Sequence, residues 1–171
     1  MLSLVRIRSA TPADAVALRE IYRPYVETTA ISFEIEVPSI EEFQRRISVA
    51  VEGWSWLVAE VDDRQVGYAY ACAHRAREAY RTSVETSAYV REDYQRQGIG
   101  RDLYTQLLNE LGERGFGSAF AGITLPNEAS VGFHKSLGFE PIGVFPRVGR
   151  KFGAWHDVAW FYRPILNTVQ D

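Results

Sequence analysis

Two closely spaced glycines with arginines around them are the first residues in this chain whose types and spacing could do chemistry. They belong to "YVREDYQRQGIGRDLYTQLL", residues 89–108, where a strand-like run leads through Gly98 and Gly100 into an amphipathic helix. The start of a helix offers unpaired N–H groups and partial positive charge, and glycine lets a phosphate approach them closely. Arg96 and Arg101 could add charged donors. The stretch predicts a loop for a phosphorylated ligand, with a plain glycine turn and solvated arginines as the alternative.

The well-known phosphate loops fit this stretch poorly. A dinucleotide-binding loop needs a third glycine where Leu103 stands. A nucleoside-triphosphate loop ends in Gly-Lys-Ser/Thr, whereas Arg101 and Asp102 follow Gly100 here. The ligand is therefore expected to be of another class.

Length and composition limit what the chain can be. Its 171 residues, 46% of them hydrophobic, suit one domain with a full core, residues 1–171. A formal net charge of -3 argues against general nucleic-acid binding. Cys72 is the single cysteine, and with three scattered histidines it gives no metal-ligand spacing. Neither a signal peptide nor a membrane span is evident. We expect a cytoplasmic protein without metal, nucleic-acid or membrane partners.

The segments around the glycine loop have a clear order. Helices are predicted at "TPADAVALREIYRPYV", after "SIEEF", after the loop and at "NEASVGFHKSLGF", because each has capping residues or an apolar face. Strands are predicted at "LVRIR", "SWLVAEV", "QVGYAYACA", "SVETSAYV", "SAFAGIT", "EPIGVF" and "WHDVAWFYR". The order is β-α-α-β-β-β-α-β-α-β-β, which predicts a single α/β domain with a mixed central sheet.

Two motifs in this order resemble those of one enzyme family. Gln95, Gly98 and Gly100 satisfy the Gln/Arg-x-x-Gly-x-Gly/Ala loop of the GNAT N-acetyltransferases, and "NEASVGFHKSLGFEPIG" resembles the family's Asn-x-x-Ser/Ala and Leu-Gly-Phe segment. The order of elements is also that family's. Three further segments, "AISFE", "HRAREAYRTSVETSAYV" and "GRKFGAWHDVAWFYRPI", resemble the branch that acetylates phosphinothricin and methionine sulfoximine.

The resemblance implies a cofactor, an acceptor and an assembly. The donor would be acetyl-CoA, the acceptor the amine of a small amino acid or analogue, and the protein a homodimer. Backbone N–H groups of Ala88 to Val90 would polarise the thioester carbonyl. Residues matched to the acetyl-CoA site are Ala88, Tyr89, Val90, Gln95, Arg96, Gln97, Gly98, Ile99, Gly100, Arg101, Asn127, Ser130 and Lys135.

Acetyl transfer to an amine also needs a base and a proton donor for the leaving thiolate. Glu85, on the strand that enters the loop, is the predicted base, and Glu34 in "SFE" is the second candidate. His134 occupies the position where many relatives carry a tyrosine that protonates the thiolate. The alternatives are a salt-bridged glutamate and a packed helix histidine. Cys72 is expected to be a core residue rather than a nucleophile.

The acceptor site is predicted from the basic segment before Glu85. Arg75 and Arg77 would grip the acceptor's carboxylate or phosphinate, and would point the same way if the preceding strand continued that far. Tyr80, Phe33 and Glu34 would complete the pocket, with a solvated loop tip as the alternative. Two other functions stay open: acetylation of a peptide, lysine or polyamine, and a non-catalytic acyl-CoA sensor.

Overall fold

The computed structural model describes residues 4–165, so both ends of the expected 1–171 domain lie outside the described residues. The element order agrees with the sequence prediction. Seven strands and four α-helices follow as β1 Arg6–Ser9, α1 Ala15–Glu27, α2 Ile40–Gly53, β2 Ser55–Val61, β3 Arg64–Ala73, β4 Ser83–Val90, α3 Ile99–Glu113, β5 Ser118–Thr124, α4 Glu128–Ser136, β6 Glu140–Lys151 and β7 Ala154–Pro164.

The strands form one mixed sheet with the order β1-β2-β3-β4-β5-β7-β6. The neighbours pair antiparallel except for β4 and β5, which are parallel. The β4–β5 pairing covers only residues 83–85 against 118–120, ending at Glu85 opposite Phe120. Both strands continue beyond this point, so they separate and open a gap in the middle of the sheet.

The helices cover the two faces of the sheet and create two apolar cores. On one face α1 and α2 bury Leu18, Ile21, Phe43 and Ile47 against aromatic residues of the sheet. On the other face α3 buries a leucine stripe against β2, β3 and β4. Burial of both faces gives the sheet the support that fixes the position of the gap.

Two polar features fix the starts of α1 and α2. Ser39 caps α2 by accepting a hydrogen bond from the Glu42 N–H at 3.1 Å, as the capping-box pattern predicts. Arg8 on β1 donates to both carboxylate oxygens of the buried Asp14, at 2.7 and 2.8 Å. The same guanidinium also bonds Glu60 on β2 at 2.5 Å, which ties the α1 entrance to two strands.

Candidate active site

The glycine loop begins the helix α3 as the sequence predicted. Gly98 caps the helix with φ +86°, a left-handed conformation that favours glycine, and a Cβ built there would meet no atom within 4 Å. Arg96 is also left-handed, with φ +60°. Gln97 donates to the Asp93 carbonyl at 3.1 Å and so fastens the loop to the short turn before it. The first turn of α3 is thereby presented beside open space.

Gly100 has a different role from Gly98. A Cβ at this position would lie 3.3 Å from the Phe133 ring of α4, tighter than ordinary van der Waals contact. Arg101 next to it donates to Ser136 of α4 at 3.0 Å. Gly100 therefore allows α3 and α4 to approach closely, besides leaving the backbone bare.

A cleft of about 340 Å³ lies between the β4 end and the glycine loop. Most of the residues predicted to hold the phosphorylated ligand line it, namely Ala88, Val90, Gln95, Arg96, Gly98, Ile99, Gly100 and Arg101, together with Tyr25, Tyr94 and Phe133. A larger cleft of about 760 Å³ between α1 and the loop has Glu20, Glu92 and Asp93 on its lining. Because those carboxylates repel phosphate, the smaller cleft is the better anion site.

The remaining predicted ligand residues lie outside this cleft. The Tyr89 ring packs edge-on against Tyr22 and Tyr25. Asn127 caps α4 by accepting from the Ser130 N–H at 3.0 Å. Asn127 and the exposed Lys135 line a separate cleft at the start of α4. None of these residues lines the cleft beside the glycine loop.

The gap in the sheet exposes one edge of β4. Beyond Glu85, β4 pairs with β3 on one side up to Val90 opposite Gly67, while no ladder partner from β5 is found among residues 4–165. The side chain of Tyr25 donates to the Val90 carbonyl at 2.5 Å and accepts from Gln95 at 3.1 Å. The unpaired edge at 86–90 thus runs from Glu85 directly to the glycine loop.

Glu85 stands where the two strands separate. Its half-buried side chain accepts hydrogen bonds from His74 Nδ1 at 3.0 Å and Arg75 Nη1 at 3.3 Å, both on Oε1. Within the described part of the chain, no hydrogen bond to Oε2 is found. The sequence analysis did not identify His74 as a site residue. Its position could have indicated it, because His74 directly follows β3, and β3 pairs with the strand that carries Glu85.

Glu34, the second candidate base, is held in a different way. Its carboxylate accepts from the Arg46 guanidinium at 2.7 and 3.1 Å and from the Tyr22 hydroxyl at 2.6 Å. Burial acts to raise the pKa of Glu34, but the hydrogen bonds from Arg46 and Tyr22 outweigh it and hold the pKa below its ordinary value. An ionised carboxylate with both oxygens engaged is a poor proton acceptor.

His134 is buried inside the fold. Its Nδ1 donates to the Ser130 carbonyl at 2.8 Å, so in the neutral ring Nε2 accepts from the Tyr104 hydroxyl, 3.0 Å away. Burial lowers the pKa of His134, which favours this neutral form. The Tyr104 hydroxyl also lies 3.3 Å from the hydroxyl of Thr86, a residue of the β4 segment that borders the gap. Sequence reasoning missed Tyr104, which the helical spacing indicates only as a core residue.

The residues predicted to bind the acceptor are not all brought together. β3 ends at Ala73, so the condition under which Arg75 and Arg77 would point the same way, a strand that continues through both, is not met. Arg75 turns to Glu85, Arg77 is exposed, and Tyr80 lies edge-on to His74 at 5.9 Å. The Phe33 ring packs over Gly149, where a Cβ would clash with it, and 6.1 Å from His156.

Other chemistries find little support here. Cys72 lies opposite Glu85 in the β3–β4 ladder, and burial with the nearby Glu85 charge raises the pKa of its thiol to about 11, so it stays protonated at neutral pH. Across residues 4–165, no three His, Cys, Asp or Glu side chains are grouped as metal ligands. No helix in that range is long and apolar enough to cross a membrane.

The fold and the site define a class of protein: a single α/β domain with a glycine loop that begins a helix beside a split parallel strand pair. The family model for the acetyltransferase (GNAT) domain matches residues 7–160. Phosphinothricin N-acetyltransferase of Streptomyces viridochromogenes is 40% identical over 93% of this chain and 87% of that protein. The L-methionine sulfoximine/L-methionine sulfone acetyltransferase of Pseudomonas paraeruginosa is 36% identical over 90% and 91%.

A solved structure agrees with these relatives. The phosphinothricin acetyltransferase of Sinorhizobium meliloti, in complex with acetyl-CoA, is 34% identical, with a TM-score of 0.91 over 98% of this chain and 92% of that one. The chain therefore belongs to the GNAT family of acetyltransferases, within the phosphinothricin and methionine sulfoximine branch.

Proposed function

We propose that this protein transfers the acetyl group of acetyl-CoA to the amine of a small amino acid or analogue of the phosphinothricin or methionine sulfoximine type. The observation that carries the proposal is Glu85, which stands at the opening between β4 and β5 with one carboxylate oxygen held and the other free of protein partners among the described residues. The names of the relatives above support the acceptor class.

The cleft fits the phosphates of acetyl-CoA. The bare backbone at Gly98 leaves open space beside the first turn of α3, and the exposed Arg96 stands at its rim. The carboxylates of the neighbouring cleft keep a pyrophosphate on this side. Asn127, Ser130 and Lys135 are proposed to contact the outer parts of the molecule along α4. When bound, acetyl-CoA would supply an activated thioester and a thiol leaving group.

Glu85 is proposed as the general base. The acceptor amine is mostly protonated at neutral pH, and Oε2 is available to take a proton directly or through water. The freed amine then attacks the thioester carbon itself, so no acyl-enzyme forms. Cys72, which stays a protonated thiol, is not suited to a covalent route. N–H groups on the unpaired edge of β4, from Ala88 to Val90, are proposed to stabilise negative charge on the thioester oxygen.

His134 is proposed to act on the leaving thiolate through Tyr104. Both ring nitrogens are engaged, so His134 would act through the Tyr104 hydroxyl, which lies 3.3 Å from the Thr86 hydroxyl on β4. With the ring neutral, Nε2 would hold the Tyr104 hydroxyl in place while its phenolic proton passes to sulfur, and Tyr104 would then recover a proton from water. His134→Ala should therefore reduce turnover with little change in acetyl-CoA affinity. A loss of thermal stability alone would restore the packing role.

The acceptor is proposed to enter beside the basic segment. Arg77 is exposed and free to bind a carboxylate or phosphinate, whereas Arg75 already contacts Glu85. Tyr80 is exposed next to His74 and could line the same side. Glu34 and Phe33 belong to the α1–α2 connection and are proposed to shape the opposite wall rather than to react.

A homodimer in the cytoplasm is proposed as the working form. β6 is an edge strand, and it exposes Ile142, Val144, Phe145 and Val148. A 12-residue edge strand with four exposed apolar side chains is a liability for a monomer, and a second copy pairing on the same surface would cover it. The lone Cys72 offers no internal disulfide and suits a reducing compartment.

Release of free thiol from acetyl-CoA tests the function. The panel is methionine sulfoximine, phosphinothricin, methionine sulfone, spermidine and a lysine peptide, each at matched concentrations. We expect turnover with the first three and little with the last two, because the exposed arginines beside Glu85 disfavour a polycation. Preference for spermidine or the peptide would replace the acceptor class, and acetyl-CoA binding without any turnover would indicate a sensor.

A further inference from the structure

We propose that His74 is a positioning residue that fixes the Glu85 carboxylate so that Oε2 points to the acceptor amine. The inference rests on the proposed role of Glu85 as the base and adds a second residue to that step. The reaction requires one carboxylate oxygen to be aimed at the amine when acetyl-CoA is in place, and a freely rotating glutamate would reach that orientation only part of the time.

The contact between His74 and Glu85 has a defined direction. An ionised carboxylate only accepts, so His74 Nδ1 carries the hydrogen that it donates to Oε1 across 3.0 Å. Arg75 donates to the same oxygen at 3.3 Å. With two donors on Oε1, the lone pairs of Oε2 are left for the acceptor or a water molecule.

The ring of His74 is held on several sides. It stacks on Phe120 with 4.6 Å between centroids and 20° between planes, and it meets Tyr80 and Trp160 edge-on at 5.9 and 6.3 Å. Phe120 is the β5 residue opposite Glu85 at the last β4–β5 pair. His74 is therefore packed against β5, the strand whose separation from β4 creates the gap.

Arg75 is less able than His74 to fix the orientation of the Glu85 carboxylate. Its side chain is 49% exposed, against 15% for His74, and it also bonds the His74 carbonyl at 2.9 Å. An exposed ion pair contributes little to orientation, because the long side chain is flexible and the charge is screened. The half-buried, stacked imidazole is the better fixed donor.

Three substitutions separate the hydrogen bond from the ring packing. His74→Asn brings an amide nitrogen close to the Nδ1 position, His74→Gln carries the same group farther out, and His74→Phe keeps the ring without a donor. We expect Phe and Gln to lower kcat about 10-fold, the order expected for one hydrogen bond to a charged group, and Asn to stay within about threefold of the parent. KM for acetyl-CoA should be unchanged in all three.

Glu85→Gln, alone and combined with His74→Phe, completes the test. A large loss from Glu85→Gln, with no further loss on adding His74→Phe, supports the proposal, since the histidine then acts only through the carboxylate. If Glu85→Gln turns over normally, the base assignment fails and this inference fails with it. If Glu85→Gln is impaired but His74→Phe is not, or if Asn and Gln at position 74 lose equally, only the role of His74 is overturned.

Discussion

Substitution of the buried Lys151 tests how the proposed acceptor side of the site is held in place. Lys151 is 3% exposed, and its Nζ donates to the Val26 carbonyl at 2.6 Å and the Ser32 carbonyl at 2.7 Å. Val26 is in the last turn of α1, where carbonyls lack helical partners. The bond to Ser32 holds the α1–α2 connection, which carries Phe33 and Glu34, against the β6–β7 hairpin.

Lys151→Met keeps the length of the side chain but removes both donors. Each carbonyl left unpaired costs about 1–3 kcal/mol, while methionine avoids the desolvation that lowers the pKa of Lys151. We expect a net loss of about 3 kcal/mol in unfolding free energy, which for this chain length lowers Tm by roughly 6–12 °C. KM for the acceptor should rise more than KM for acetyl-CoA, because the bond to Ser32 holds the connection that carries Phe33 and Glu34, whereas α1 reaches the acetyl-CoA cleft only through Tyr25.

Thermal unfolding followed by circular dichroism gives Tm, and initial rates with either substrate varied give the two KM values. Lys135→Met is the matched control for stability, since Lys135 is exposed on α4, and its Tm should differ from the parent by less than 1 °C or so. A Tm for Lys151→Met within about 2 °C of the parent would refute the reasoning. So would equal increases in both KM values, which would indicate a general loosening of the fold.

Three further predictions concern the cleft, the acceptor and acid stability. Gly100→Val should weaken acetyl-CoA binding, measured by calorimetry, because the new side chain displaces Phe133. Adding Phe133→Ala should restore part of the affinity, and no recovery would mean that the valine blocks the phosphate directly. Arg77→Ala should lower kcat/KM for an amino acid about 10-fold or more and leave kcat/KM for its uncharged amide unchanged. Arg75→Ala should change kcat/KM for both substrates alike, because Arg75 contacts Glu85. The opposite pattern would exchange the roles of the two arginines. Hydrogen bonds from Arg8 hold the pKa of Asp14 below its ordinary value. The stability that these bonds give is therefore full above about pH 4 and is lost as pH falls through the lowered pKa of the folded state. Urea midpoints at pH 7 and pH 3 should therefore converge in Asp14→Asn relative to the parent, and an unchanged difference would assign acid sensitivity to other carboxylates.

Local sequence patterns were sufficient for the framework of this protein. The order of strands and helices and the conformation at Gly98 follow from hydrophobic periodicity, caps and the freedom of glycine, all of which act over a few neighbouring residues. Glu85 and the loop are on one continuous strand–loop–helix segment, so their proximity is also a local property. Both family motifs belong to this kind of information.

What only the tertiary structure decided is which side chains meet across elements. His74 reaches Glu85 because β3 and β4 are antiparallel neighbours. Arg46 binds the Glu34 carboxylate, which makes Glu34 a poor base, because α2 packs beside the α1–α2 connection. His134 is engaged by Tyr104 because α3 and α4 cover the same face of the sheet. Such contacts depend on the packing and register of whole elements, and no periodicity within a single segment specifies them. The sequence by itself thus determined the order of elements and the glycine loop. Packing between elements determined that Glu85 rather than Glu34 keeps a carboxylate oxygen without a hydrogen bond from residues 4–165.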